Sequence, residues 1–575
     1  MKRILLLLFL ALSAFSEERW YTYYVADTPV GYVSETTDGP RTETVVFARL
    51  VRLGKGIEMR FATSAFESAA GDLETLTYEA QLSKQATRLE VRVDGDRVRI
   101  VSGGHERVVE RGTDRILGPA AVARMSAQKL RTAGDAIEYA IFSPELQRVA
   151  RVKRRVLAVE TDSVKVEETL EGMPVARTLW LDARGVMVAD SLPGPFGAMR
   201  SQRSTREAAL AANGTLPADL YERTVARSNV RLADAAAVDR LVVRIRPREA
   251  SLVLPDFTTH NQQLWSARTP VRALNQDVTL EIRRQSQERT ETIADEFLAP
   301  NAIVESDNPE IARIAKEIAG NETDALRKAQ SLTTWVAEHM SMDAGIVLAP
   351  ASELVRDRRG TCMGFATLLA SLARAAGVPS RIAMGYVYYG GIWGGHAWTE
   401  MAIDGRWLPF DAAVYAPGVA SATRIAAGAS SFADGGGELH AKLGPMFGHI
   451  DVDILEIEQG GRTTRIAPSQ TPFRIAGSTY TNAGLGLRVK ANGYAIERAD
   501  STWPSTLVVA FRRGETNIEL HQRPRFPAAT IEPKDGETIV AMPEGGTLWM
   551  WKAAGPRASE ELRRFLANVE KSRPL

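Results

Sequence analysis

The sequence has a single cysteine, Cys362, among 575 residues, so no disulfide can form within the chain. It has no charge excess: 71 Lys and Arg against 70 Asp and Glu leave a formal charge of +1, which gives nucleic acid no basis as a partner. No block of like charge forms an interaction tail. No apolar run approaches the ~20 residues that a membrane-spanning helix needs. The run Ile4 to Leu12 follows Lys2 and Arg3 and precedes Ala14-Phe15-Ser16, so residues 1–16 read as a secretory signal. No cysteine follows that signal, and a lipid anchor has no support.

Other absences narrow the chemistry. The pairs Gly390-Gly391 and Gly394-Gly395 do not make a dinucleotide fingerprint, and no phosphate loop ending in GK[ST] occurs. His105, His260, His440, His449 and His521 are scattered singly, so neither a zinc site nor any cofactor is expected. Asp451 and Asp453 alternate along an expected strand and read as a solvated face rather than a calcium site.

What is present is a folded composition, 45% hydrophobic and 25% charged, over a length of about three or four domains. Residues 17–213 read as an antiparallel β domain. Leu89, Val91 and Val93 alternate with polar residues, Asp94-Gly95 turns the chain, and Val98 and Ile100 resume the alternation. Residues 214–295 read as a β-rich connector or accessory domain. A different character begins at 296. Asn308-Pro309 opens a helix carrying Ile311, Ile314, Ala315 and Ile318 on one stripe, and a second helix spans about Asp324 to His339. Trp335 on the second helix reads as core. Residues 456–575 read as a C-terminal β-rich domain ending in an amphipathic helix.

Within 296–455, the stretch RRGTCMGFATLLASLARAAGVPSR is a helix with marked ends. Thr361 is the N-cap, Phe365, Leu368, Leu369, Leu372 and Ala376 form the apolar stripe, and Gly377 and Pro379 stop it. Cys362 thus occupies the first turn, where free N–H groups and the helix dipole favour a thiolate. Downstream, GGIWGGHAWTEM leads into a strand expected over His396 to Ile403. Asp404-Gly405 makes a two-residue turn and Arg406 to Ala412 is the partner. That register puts His396 and Asp411 on one face as diagonal neighbours. Pro409 falls opposite Glu400 at a non-hydrogen-bonded pair, which spares the ladder. The glycines before His396 read as a flexible entrance, with Trp393 and Trp398 either walling a cleft or packing.

A cysteine at a helix start, then a histidine, then an aspartate is the order of nucleophile, base and orienting carboxylate. The pieces GTCMGFATLLASLARAAGVPSRIAMGY, GGHAWTEM and GRWLPFDA resemble the transglutaminase-like core, a relative of papain-type cysteine peptidases. The resemblance implies an α+β fold with a transglutaminase-like (papain-like) core, flanked here by antiparallel β domains. It implies catalytic roles for Cys362, His396 and Asp411, and a protein or peptide substrate. Met363-Gly364 stand where the family often has a polar or charged pair. No aromatic near His339-Met340-Ser341 matches an oxyanion donor, which leaves the Cys362 backbone N–H. The expectation is an exported enzyme, periplasmic or secreted, that hydrolyses amides through a thioester. Its alternatives are a protein-glutamine amine transferase and a non-catalytic binding or assembly protein.

Overall fold

The computed structural model describes residues 16–52, 55–173, 175–194, 197–212, 224–249, 252, 254–257, 262–264, 277–285, 292–467, 470–499, 507–524, 533–544 and 547–575. The signal expected over 1–16 lies outside them except for Ser16. Among the described residues no helix is long and apolar enough to cross a membrane.

Alternating sequence builds the N-terminal part into one 14-stranded antiparallel sheet. Leu89 and Val91 are buried while Glu90 and Arg92 on the other face are exposed, the pattern of a sheet with one face packed. The turn falls at Gly95-Asp96, one residue later than expected, and places Val93 opposite Val98 and Val91 opposite Ile100. The first strand, Glu17–Val25, lies inside the sheet between Thr28–Asp38 and Met199–Ser204. The sheet is therefore two meanders, 17–110 and 136–204, joined through the first and last strands.

The central part is a helical layer on a sheet. Helices Pro309–Ala319, Ala325–His339 and Ala351–Asp357 pack around a fourth, Cys362–Ala375. The first is fixed at its start by the Asn308 side chain, which accepts from the Glu310 and Ile311 N–H groups, and ends on Gly320 at φ 51°. The fourth helix is apolar almost all round. Met363, Ala366 and Ala370 face the sheet, and Phe365, Leu368, Leu369 and Leu372 face the other helices. Leu368, Leu369 and Leu372 are completely buried, which contributes about 1.5–3 kcal/mol each. The helix closes with paired bonds from Gly377 N–H to Arg374 O and from Val378 N–H to Ala373 O, as its C-terminal glycine predicts.

The described strands between 224 and 283 do not form a sheet of their own. Strands Arg240–Pro247, Gln262–Leu264 and Val278–Arg283 share a five-stranded sheet with Ile450–Gln459 and Arg462–Arg465, and Ala226–Arg227 pairs with Ile392–Ile403. The reason lies in the strand Arg240–Pro247, where consecutive Leu241, Val242 and Val243 are all buried. A strand apolar on both faces needs cover on both, and here the pairing partner comes some two hundred residues later.

The C-terminal part comprises a four-stranded and a five-stranded sheet. Its helix Ala558–Leu566 seats Phe565 against Phe511 at 4.8 Å between ring centroids. The N-terminal sheet is tied to the central part by Glu353, only 1% exposed. Its carboxylate accepts from Ser83 Oγ at 3.0 Å, Lys84 N–H at 3.3 Å and Gln85 N–H at 3.1 Å.

Candidate active site

The helix Cys362–Ala375 begins at the cysteine itself, with Thr361 in extended conformation at the N-cap. The Thr361 hydroxyl does not cap the helix; it reaches Val347 O at 3.4 Å. The first-turn N–H groups are thereby left to whatever sits before the thiol.

His396 comes from the long strand Ile392–Ile403, which pairs with Ser380–Tyr389 on one side and Arg406–Phe410 on the other. The Asp404-Gly405 turn has φ of 49° and 71°, a hairpin geometry that twists with the strands. Ile403 then opposes Arg406, and Glu400 opposes Pro409. Asp411 follows the partner strand directly, and His396 Nε2 bonds its Oδ2 at 2.9 Å. With Nε2 engaged there, Nδ1 is left for the thiol, and His396 stands near enough to Cys362 for its charge to act on the sulfur. The structure thus brings Cys362, His396 and Asp411 together.

Sequence reasoning missed a fourth member. Arg424, from the strand Arg424–Ser430, grips Asp411 Oδ2 with Nε at 2.9 Å and Nη2 at 2.7 Å. The same guanidinium is anchored by Val414 O at 3.0 Å and the Ser421 oxygens. Asp411 Oδ1 accepts the Ala413 and Val414 N–H groups at 3.0 and 2.9 Å. No local spacing signals Arg424, because its strand reaches the site across Ser380–Tyr389.

Burial and charge oppose each other here. Burial pushes the Cys362 thiol up, but the hydrogen bond and charge of His396, the Arg52 guanidinium and the Ala397 N–H bring it down to about 7. Burial pulls His396 down, yet the Asp411 charge and hydrogen bond raise it to about 9. Asp411 is held well below the usual carboxylate range; burial opposes this and the charges of His396 and Arg424 prevail. At neutral pH the arrangement favours a thiolate beside an imidazolium.

Cys362 opens onto a cavity of about 310 Å³, within the ~300–1,000 Å³ usual for ligand sites. Trp393 and Trp398 do not wall it. Both are buried: Trp393 packs edge-on to Tyr388, and Trp398 stacks beside His396 at 6.2 Å and packs with Ala383 and Ala426. The glycines are not a flexible entrance either. Gly390 and Gly391 form the turn at φ 55° and 98°, while Gly394 and Gly395 lie within the paired strand. A Cβ on Gly395 would stand 2.9 Å from the Phe447 ring, so its role is close packing. Among the described residues, no three His, Cys, Asp or Glu side chains gather as a metal site. Asp451 and Asp453 instead pair with arginines of the neighbouring strand.

Comparison with known proteins adds the following. The chain is similar to the crystal structure of a candidate cysteine protease from Cytophaga hutchinsonii, at 17% identity and TM-score 0.25, over 42% of this chain and 91% of that one. It is similar to the periplasmic domain of TgpA from Pseudomonas aeruginosa, at 18% identity and TM-score 0.24, over 32% and 74%. A β-barrel-like protein from Brucella abortus is similar at 11% identity and TM-score 0.28, over 33% and 97%. No curated protein matches. Residues 312–412, which enclose Cys362, His396 and Asp411, match the model of the transglutaminase-like superfamily.

Proposed function

We propose that this is an exported cysteine-dependent enzyme that hydrolyses peptide or protein amides through a Cys362-His396-Asp411 triad. The observation that carries the reading is the His396–Asp411 hydrogen bond beside a thiol that starts a helix and faces the same cavity. The Cys362 thiolate attacks the amide carbonyl, forming a C–S bond, and the Cys362 backbone N–H stabilises the oxyanion. His396 gives its proton to the departing nitrogen as the C–N bond breaks. Water then attacks the thioester, His396 takes its proton, and the C–S bond breaks to restore the thiol. Asp411 holds the imidazole in the required tautomer throughout.

Water is favoured over a lysine amine as the second nucleophile. Among the described residues the cavity has no carboxylate in its lining to attract a cationic amine. The export reading rests on Lys2, Arg3, the apolar run and Ala14-Phe15-Ser16.

The test is to offer a peptide mixture with an excess of labelled primary amine and to trap the acyl-enzyme for mass spectrometry. New termini without label, lost in Cys362→Ala, support hydrolysis. Dominant Cys362-dependent label incorporation makes the protein an amine transferase. No acyl-enzyme with any peptide leaves a binding or assembly role.

A further inference from the structure

The cavity in front of Cys362 is not built by the transglutaminase-like core alone. One wall comes from the N-terminal sheet, from the hairpin Arg41–Arg52 and Lys55–Glu67. Its register sets Leu50 opposite Ile57 and Ala48 opposite Met59, so Leu50, Ile57 and Met59 project from one face. That face is the one turned to the thiol. Met363, Met384 and Phe447 of the central part stand across from it. Among the described residues, the ionisable groups in the lining besides Cys362 and His396 are Arg52 and His440.

We propose that this two-domain chamber selects the substrate: a peptide with a bulky uncharged residue, such as Leu, Met or Phe, immediately beside the scissile amide. The proposal rests on the amide-hydrolase reading above. The nucleophile fixes where the reacting carbonyl lies, so the chamber holds the side chain next to it. A cationic side chain would shed its water there and find no carboxylate partner among the described lining residues. The volume of about 310 Å³ is at the small end of ligand sites, fit for one or two residues. Met59, Met363 and Met384 are unbranched and polarisable, so the walls adjust to several apolar shapes. The N-terminal β domain is then a specificity element, and the central part by itself has half a subsite.

The experiment is cleavage of a peptide library by the full chain, varied on each side of one amide, with an N-dodecanoyl amide as a further arm. Leu, Met and Phe peptides should exceed Gly and Lys peptides in kcat/KM by about a hundredfold, since pocket discrimination of apolar groups runs at about 10–200-fold per methylene. Leu50→Ala combined with Met59→Ala should cut the Leu-to-Gly ratio about tenfold, mostly through KM. Leu50→Glu should shift the preference toward Lys and Arg peptides, a gain that misfolding cannot imitate. Cys362-dependent cleavage without apolar preference overturns this inference alone, as does an unchanged ratio in both variants or a preference for the dodecanoyl amide. No Cys362-dependent cleavage anywhere in the library overturns the hydrolase reading with it.

Discussion

At the scale of residues, two groups with opposite shifts share one proton economy. Cys362 is brought down to about 7 and His396 raised to about 9, so the thiolate–imidazolium pair is populated between those values. Below the lower value the thiol is protonated, and above the upper one the imidazole has lost the proton it must give. Iodoacetamide alkylation should rise through pH ~7 and stay high above 9, because a thiolate alone suffices. Turnover should be bell-shaped, with limbs near the two values. In His396→Ala only the Arg52 charge and the Ala397 N–H still oppose burial, so the alkylation midpoint moves up. An unshifted midpoint would mean that the imidazole does not set the thiol. Arg424 enters the same balance. Arg424→Met leaves Asp411 with His396 as its one cationic neighbour, so the imidazolium is held harder and the upper limb moves to higher pH. Breaking the buried pair should also cost about 3 kcal/mol, read from urea unfolding. A stability loss with an unmoved limb would reduce Arg424 to a structural role.

At the scale of elements, the strand that carries His396 depends on two missing side chains. A Cβ at Gly385 would lie 1.9 Å from Ile425 O, and one at Gly395 would press on the Phe447 ring at 2.9 Å. Backbone cannot yield as a side chain can. Gly385→Ala should therefore unpair the strand edge and abolish folding, whereas Gly395→Ala should cost about 1–3 kcal/mol by overpacking. Thermal melting of the two variants, compared with the parent, checks the order. The contrast explains what the sequence could show. The hairpin at Asp404-Gly405 was legible because a two-residue turn fixes register locally, and from it the His396–Asp411 contact followed. The helix start at Cys362 was legible for the same reason, its caps being within a few residues. Arg424 was not, since its position depends on a strand crossing the sheet. The sheet shared by 240–247 and 450–459 was hidden likewise, because nothing in either strand names its distant partner. The glycines before His396 misled because a glycine that makes room for a ring looks, in sequence, like one that loosens a loop.

At the scale of the whole molecule, Glu353 is one joint between the N-terminal sheet and the helical layer of the central part. Glu353→Ala leaves the Ser83, Lys84 and Gln85 donors to water and should cost about 1–3 kcal/mol. The loss should be local. Hydrogen exchange over 82–90 should accelerate while the amides of the helix Cys362–Ala375 stay protected. Equal acceleration in both places would mean that the two parts unfold as one unit.

The placement of the strand Glu17–Val25 between its early neighbour and Met199–Ser204 bears on how the polypeptide is made. Synthesis is vectorial, and at ~5–20 residues per second the two partners emerge roughly ten seconds or more apart. Through that interval one side of EERWYTYYV stays bare, a row of unpaired amides flanked by Trp20, Tyr21, Tyr23 and Tyr24. Glu17, Glu18 and Arg19 at its head are the charged residues that discourage another nascent chain from adding itself there. A chain of which only the residues before 199 have emerged therefore holds out a sticky aromatic ribbon, and one that has emerged beyond 204 does not.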